Sequence, residues 1–339
     1  MRETPEHGVR LRVDPTNPGQ FFACCGLLEL ADRLWGGAEG WFENDDGEFV
    51  LSCPEPGQDA RAVVERLVKA GLSGDLTPVL QRERQELETR KRRLKDIGSE
   101  LPQGEERRRD DLGKLLREGP ITIGGPFHFV LDWWLNQREK VFFSAIKVGN
   151  ALVARQEQQE AEDDAIPKTW AGRQEVLRIA RAAQVDTARA FETREPFEFR
   201  CVMRPVPDEF EDGRGETGEQ RGRKKGKDKV EPFYFDSRHG ANALPLDIGF
   251  SPNELGLESK AFPAVELLCL VGLQRCRPRL TDVPLVFEYF AWSVPLQVSV
   301  LSAAVSGFLG QRIGYRFENA YRTDQRKHSG YLQATVIRR

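Results

Sequence analysis

Side chains suited to chemistry gather in one loop: Asp236, Ser237, Arg238, His239 and Asn242, with Asp247 a few positions on. A carboxylate beside an imidazole can serve general acid–base work or help hold a divalent metal. Asp236, His239 and Asp247 are therefore the residues on which a metal-dependent nuclease would be built. Against this, the run Asp236-Ser-Arg-His-Gly has no defined nuclease spacing, and Asp and Ser ahead of Gly equally make turn hydrogen bonds. His128 and Asp132 lie four apart in a strand-like apolar run, where that spacing brings no close approach; His128 reads as a core or edge histidine.

Other chemistries lack their motifs. The chain has no G-x-x-x-x-G-K-[ST], no G-x-G-x-x-G after a strand, and no H-E-x-x-H, G-x-S-x-G or C-x-x-C, which removes sequence support for NTP hydrolysis, dinucleotide chemistry and zinc proteolysis. Of the six cysteines, Cys24, Cys25 and Cys269 lie in apolar helical runs and read as small buried hydrophobes. No cofactor and no metal are expected.

Nucleic-acid binding fits the residue types better. Phosphates are held by Arg and Lys, and bases stack on aromatic rings or guanidinium planes. Tyr234, Asp236, Ser237, Arg238, His239 and Asn242 form one candidate surface, with Arg275, Arg277 and Arg279 behind it. A second set is Arg316, Arg322, Arg326 and Lys327 near the end of the sequence, and Lys224 and Lys225 add a third. The formal net charge of −3 hides this segregation: residues 311–339 carry seven Arg or Lys against two acids.

The elements that must position these residues can be read from spacing. Val9-Arg-Leu-Arg-Val alternates as a strand, and Asn17 with Pro18 caps a helix in which Phe21, Phe22, Cys25, Leu28, Ala31 and Leu34 recur. Asp46-Gly47 turns a hairpin, and 59–70 is a second helix with Val63, Val64, Leu67 and Val68 inward. This β-α-β-β-α order predicts an α+β fold with ferredoxin-like-flavoured sheet elements, packed helices and a protruding charged helical hairpin. The hairpin spans 80–118. Leu80, Leu87, Leu94 and Leu101 are seven apart, but Glu83 and Arg90 stand where a coiled coil needs apolar residues. It is either a solvated arm packed along one stripe or an arm gripping a partner protein or a nucleic-acid backbone.

Strands are predicted within 121–135 and 197–203, and helices over 141–155 and 173–191. Residues 207–231 are too polar and Gly-rich to bury a core and read as a disordered linker, either a tolerated insertion or a basic arm. After it, 263–278 is an apolar helix bounded by Pro263 and Pro278, and the ordered polar loop leans on it. Strand and short helix follow over 285–305, and two alternating strands close the sequence. The expected segments are an N-terminal α+β domain (1–79), the hairpin (80–118), a core continuation (119–206), the linker (207–231) and a C-terminal α+β domain with a basic end (232–339). The start lacks an apolar signal-peptide core, and no window approaches the ~18 apolar residues of a membrane span, so a cytoplasmic protein without membrane contact is expected.

Three blocks together resemble one known family. They are Asp14-Pro-Thr-Asn-Pro-Gly-Gln-Phe-Phe-Ala-Cys-Cys-Gly-Leu-Leu-Glu-Leu-Ala-Asp, then Asp236-Ser-Arg-His-Gly-Ala-Asn with Asp247-Ile-Gly-Phe-Ser, then Pro263-Ala-Val-Glu-Leu-Leu-Cys-Leu-Val-Gly-Leu-Gln-Arg-Cys-Arg-Pro. The chain is similar to the third-member family of the Csb series, a Cas-eight-type subunit of type I-U (I-G, Dpsyc) CRISPR systems. The resemblance implies a non-catalytic subunit of a guide-RNA effector complex in antiviral interference. Its partners would be CRISPR RNA or target DNA and other effector subunits, with base pairing reading sequence and protein gripping the backbone. It carries over no catalytic residues. An interaction-only bridging subunit is the alternative within the same complex.

Overall fold

The computed structural model describes residues 8–43, 47–74, 78–134, 167–170, 175–192, 201–202, 230, 232–238, 260–311, 313–321 and 329–338. The expected helix over 141–155 and most of the expected linker lie outside them. Within the described residues the chain is an α+β protein built of helices and antiparallel sheets.

The amino-terminal elements follow the spacing closely. Strand β1 (Gly8–Arg12) leads into helix α1 (Pro18–Trp35), then β2 (Glu39–Glu43), β3 (Glu48–Ser52) and α2 (Ala60–Lys69). Asn17 caps α1 with Pro18 at its first position, and Asp59 caps α2, each side chain accepting N–H bonds that the first helical turn leaves open. β3 pairs antiparallel with both β1 and β2, giving the order β1-β3-β2 that a ferredoxin-like unit shares. The next strand departs from that pattern. β4 (Leu72–Gly74) does not return to β1 but joins a separate sheet with β5 (Ile121–Ile123) and β6 (Phe129–Leu131). The free edge of β2 is taken by β11 (Leu296–Gln297), more than two hundred residues away in sequence.

Between β4 and β5 stands the charged hairpin, α3 (Pro78–Asp96) and α4 (Gln103–Glu118). Leu80, Leu87 and Leu94 are only half-buried, whereas Leu101 and Leu112 are buried. The charged residues that spoil a heptad pattern instead join the two helices. Glu83 accepts a two-pronged bond from Arg108 at 2.6 and 2.8 Å, Arg90 meets Glu105 at 2.9 Å, and Lys91 meets Glu106 at 2.7 Å. Exposed ion pairs each contribute little, but a row of them fixes which faces meet. His128 lies on the turn before β6, exposed and with positive φ, so it is not the core or edge histidine expected from sequence.

α5 (Val176–Glu192) packs on α2 and β4, where Gln184 donates to the last carbonyls of α2, Leu67 and Ala70. A two-residue pairing of β7 (Cys201–Val202) with β8 (Lys260–Ala261) precedes α6 (Pro263–Arg275), the helix predicted between its two prolines. The last sheet contains β9 (Arg279–Leu280), β10 (Val286–Phe290), β12 (Ile313–Tyr321), β13 (Ser329–Tyr331) and β14 (Thr335–Arg338). A short helix α7 (Leu301–Val305) connects β11 to β12.

Helices α1 and α6 form the spine. Both are buried on nearly every side, and Phe21 of α1 touches Phe42 of the first sheet as well as Tyr289 and Tyr315 of the last. The two helices cross at a pair of glycines. A Cβ on Gly26 would stand 1.9 Å from the Leu268 carbonyl oxygen, and one on Gly272 would stand 2.0 Å from that of Phe22. One core cluster runs through residues of 1–79, 119–206 and 232–339 alike. No helix among the described residues is long and apolar enough to cross a membrane.

Gly272→Ala should cost about 3 kcal/mol or more, because backbone rather than a pliable side chain meets the new methyl group. Gly104→Ala, on the open face of α4, should instead gain about 0.5 kcal/mol from helix propensity. Urea unfolding of the two variants checks both signs.

Candidate functional site

The loop that sequence marks as chemically capable is joined to the start of α1 and the first turn of α6. Residues 232–236 are buried, which the polar reading of this loop did not anticipate. Phe233 and Phe235 stack on each other and continue an aromatic series through Trp170 and Tyr331. Tyr234 is only 5% exposed and has positive φ, so its ring is not a surface platform. Its carbonyl accepts from the Tyr331 N–H at 3.0 Å.

Asp236 is 3% exposed, and its carboxylate is fully engaged. Oδ1 accepts from Asn17 Nδ2 at 2.7 Å, from the Arg238 N–H at 2.9 Å and from Arg238 Nε at 2.9 Å; Oδ2 accepts from the terminal guanidinium nitrogen of Arg238. Asn17 has a double role. Its Oδ1 accepts from the N–H groups of Gly19 and Gln20, capping α1, and also from the N–H of Ser237 at 3.1 Å. Gly19 has to be glycine at this contact: a Cβ there would lie 2.5 Å from the Phe235 carbonyl oxygen. Ser237 donates through its hydroxyl to Gln333, whose amide reaches Asp14 at 2.8 Å and also Thr16.

Below the turn, Glu266 accepts from the N–H groups of Phe235 at 3.2 Å and Asp236 at 3.1 Å. Burial pushes the Glu266 carboxyl up to about 8; the Asp236 charge adds to the rise, while the two N–H bonds and the Arg238 charge oppose it. Arg238 emerges above, with its side chain 40% exposed and its guanidinium 3.5 Å from the centre of the Phe262 ring. The arrangement holds a guanidinium at the surface, on an aromatic face and against a buried acid.

Three other candidate cations, Arg275, Arg279 and Arg316, also rest on buried acids. Arg275 pairs with Glu29 at 2.6 Å, and Glu29 also binds Arg33 at 2.8 Å. Arg279 and Arg316 share Glu288, 3% exposed, across neighbouring strands. Burial alone would raise the Glu288 carboxyl, but hydrogen bonds from Arg316 and Arg279 outweigh it and hold the group below the usual carboxylate range. Arg277 is exposed beside them. Lys224, Lys225, His239, Asn242, Asp247, Arg322, Arg326 and Lys327 lie outside the described residues.

Sequence reasoning missed Asn17 as more than a cap, and it missed Glu29, Glu266 and Glu288. Their signal is visible in hindsight as single acids in otherwise apolar stretches.

No protein-family model, no curated protein and no solved structure matches this chain.

Asn17→Ala removes a cap and leaves both the Asp236 carboxylate and the Ser237 N–H short of a partner. It should cost about 3 kcal/mol, against about 1 kcal/mol for Asp59→Ala, where only a cap is lost. Urea unfolding compares the two. Glu266 gives a pH signature. Its folded value lies above the ordinary 4.5, so between about pH 4.5 and 8 the folded chain holds a proton that the unfolded chain has released. Stability therefore falls as pH rises through that window, with this residue contributing up to about 1.4 kcal/mol per pH unit. In Glu266→Gln that contribution should vanish from unfolding curves measured across the window.

Proposed function

We propose that this chain is a non-catalytic subunit of a type I-U CRISPR guide-RNA effector complex and binds nucleic acid, either the CRISPR RNA or the target DNA, in antiviral interference. One observation carries the reading. The three sequence blocks on which the family resemblance rests are far apart in the chain yet meet at one junction: Asn17 from the first bonds Asp236 from the second, whose backbone bonds Glu266 from the third. Blocks that depend on one another in this way form one structural unit, which supports reading them together. Arg238, carried on that unit and exposed over Phe262, has the geometry that suits a phosphate or a stacked base. Because both oxygens of Asp236 are taken by Asn17 and Arg238, a nuclease built on Asp236, His239 and Asp247 has less support.

An interaction-only bridging role is the second reading, and the tip of the α3–α4 hairpin favours it. Ile97 stands 74% exposed there, on a turn closed by Gly98 at positive φ. An exposed aliphatic group at the end of an ion-paired arm suits a protein neighbour.

Co-expression of the tagged chain with its neighbouring genes and a CRISPR array separates these readings. Guide RNA and partner subunits should co-purify. Arg238→Gln and deletion of 220–229 should weaken target-DNA binding while the complex stays assembled. Recovery of the chain alone, without RNA or partners, would sink the proposal. Loss of partners with Ile97→Asp, and unchanged nucleic-acid binding in the other two variants, would favour the bridging role.

A further inference from the structure

The last sheet presents an outer face that the readings so far do not use as a unit. Opposed residues of antiparallel strands point to the same side, so Arg279, Glu288, Arg316 and Thr335 form one row across β9, β10, β12 and β14. Glu288 is buried beneath two guanidiniums that are 41% and 52% exposed. Arg279 spends one hydrogen bond on it and Arg316 two, which leaves further N–H donors on each side chain.

The next row holds Phe290, opposite Gly314. The Arg279 guanidinium lies 5.4 Å from the centre of that ring, and Gly307 rests on it so closely that a Cβ would come within 2.7 Å. Gly307 is the positive-φ residue that ends α7. Its N–H bonds the Ala304 carbonyl, and the Phe308 N–H bonds that of Ala303, which together make a Schellman cap. The residue at the Phe308 position of such a cap usually folds back on the helix. Here the helix offers only Ala303, and Phe308 is 79% exposed with Leu309 51% exposed beside it. The backbone is pinned while the ring stands free.

We propose that this face, with the Phe308–Leu309 tip that follows Gly307 on the Phe290 ring, binds single-stranded nucleic acid. The tip would stack an unpaired base and the guanidiniums would hold the adjoining phosphate. An exposed aromatic on a pinned backbone, on the same face as directed donors, is the pairing that single strands require, because every base has a stacking face and every link a phosphate. Glu318 lies on the same side and Asp282 on the β9–β10 turn, so the face is not a broad positive field; stacking carries more of the binding than long-range attraction. The inference rests on the nucleic-acid reading above and assigns it a place.

Fluorescence anisotropy of the full-length chain with labelled oligo(dT), and with an RNA strand of equal length, tests it. Phe308→Ala should weaken binding about tenfold and Phe308→Trp should restore it. Arg316→Gln, which retains a donor for Glu288, should lower affinity and reduce the salt slope by about one. Wild-type affinity in both Phe308→Ala and Arg316→Gln would overturn this placement while leaving the effector-subunit reading intact. If Phe308→Ala instead releases a co-purifying subunit and leaves strand affinity unchanged, the tip is a protein contact and the proposal is wrong. A chain that binds no strand and co-purifies with no guide RNA would bring down both readings.

Discussion

The backbone contact between α1 and α6 is the constraint on which the rest of the molecule depends. Helices separated by ordinary side chains keep their axes 8–10 Å apart, and each needs only one apolar stripe. Where Gly26 faces Gly272 the backbones themselves touch, so side chains on both flanks reach past the crossing to other layers. That is why Phe21 can touch two sheets, and why neither helix has a polar face along most of its length. Cys25 and Cys276, near the same crossing, are buried, and desolvation with a hydrogen bond donated to the second thiol pushes the first well above the usual thiol range.

Close packing at the crossing fixes the distance between the amino-terminal ends of both helices and whatever chain passes beside them. The 233–238 segment is that chain. Its Tyr234 carbonyl takes the Tyr331 N–H of β13, but the N–H groups of Phe235, Asp236 and Ser237 face helix ends and take side-chain oxygens from Glu266 and Asn17. A buried carboxylate at Asp236 is tolerable because Arg238, Asn17 and a backbone N–H surround it. The outcome is a rigid pedestal with one guanidinium on top.

The same device recurs on the surface. Arg275 over Glu29, Arg238 over Asp236, and Arg279 with Arg316 over Glu288 each place a half-exposed cation on an acid that is nearly inaccessible. The acids orient the guanidiniums and cancel part of their charge. Specific, directional contact is therefore a better description of these surfaces than a diffuse basic patch.

The sequence by itself determined the local elements whose signals are short-range. The cap at Asn17, the helix over 59–70, the β2–β3 hairpin, the proline-bounded α6 and the α3–α4 hairpin all follow from side-chain periodicity and from the few residues that start or stop a helix. It also marked Asp236 to Arg238 as unusual. Only the tertiary structure decided that Asp236 and Tyr234 are buried, that β4 leaves the first sheet while β11 enters it, and that Glu83 and Arg90 zip a hairpin rather than spoil a coiled coil. The physical reason is the same in each case. A polar residue's type states which partners it can satisfy but not where they are: Arg108 stands 25 positions from Glu83, and Asn17 stands 219 from Asp236.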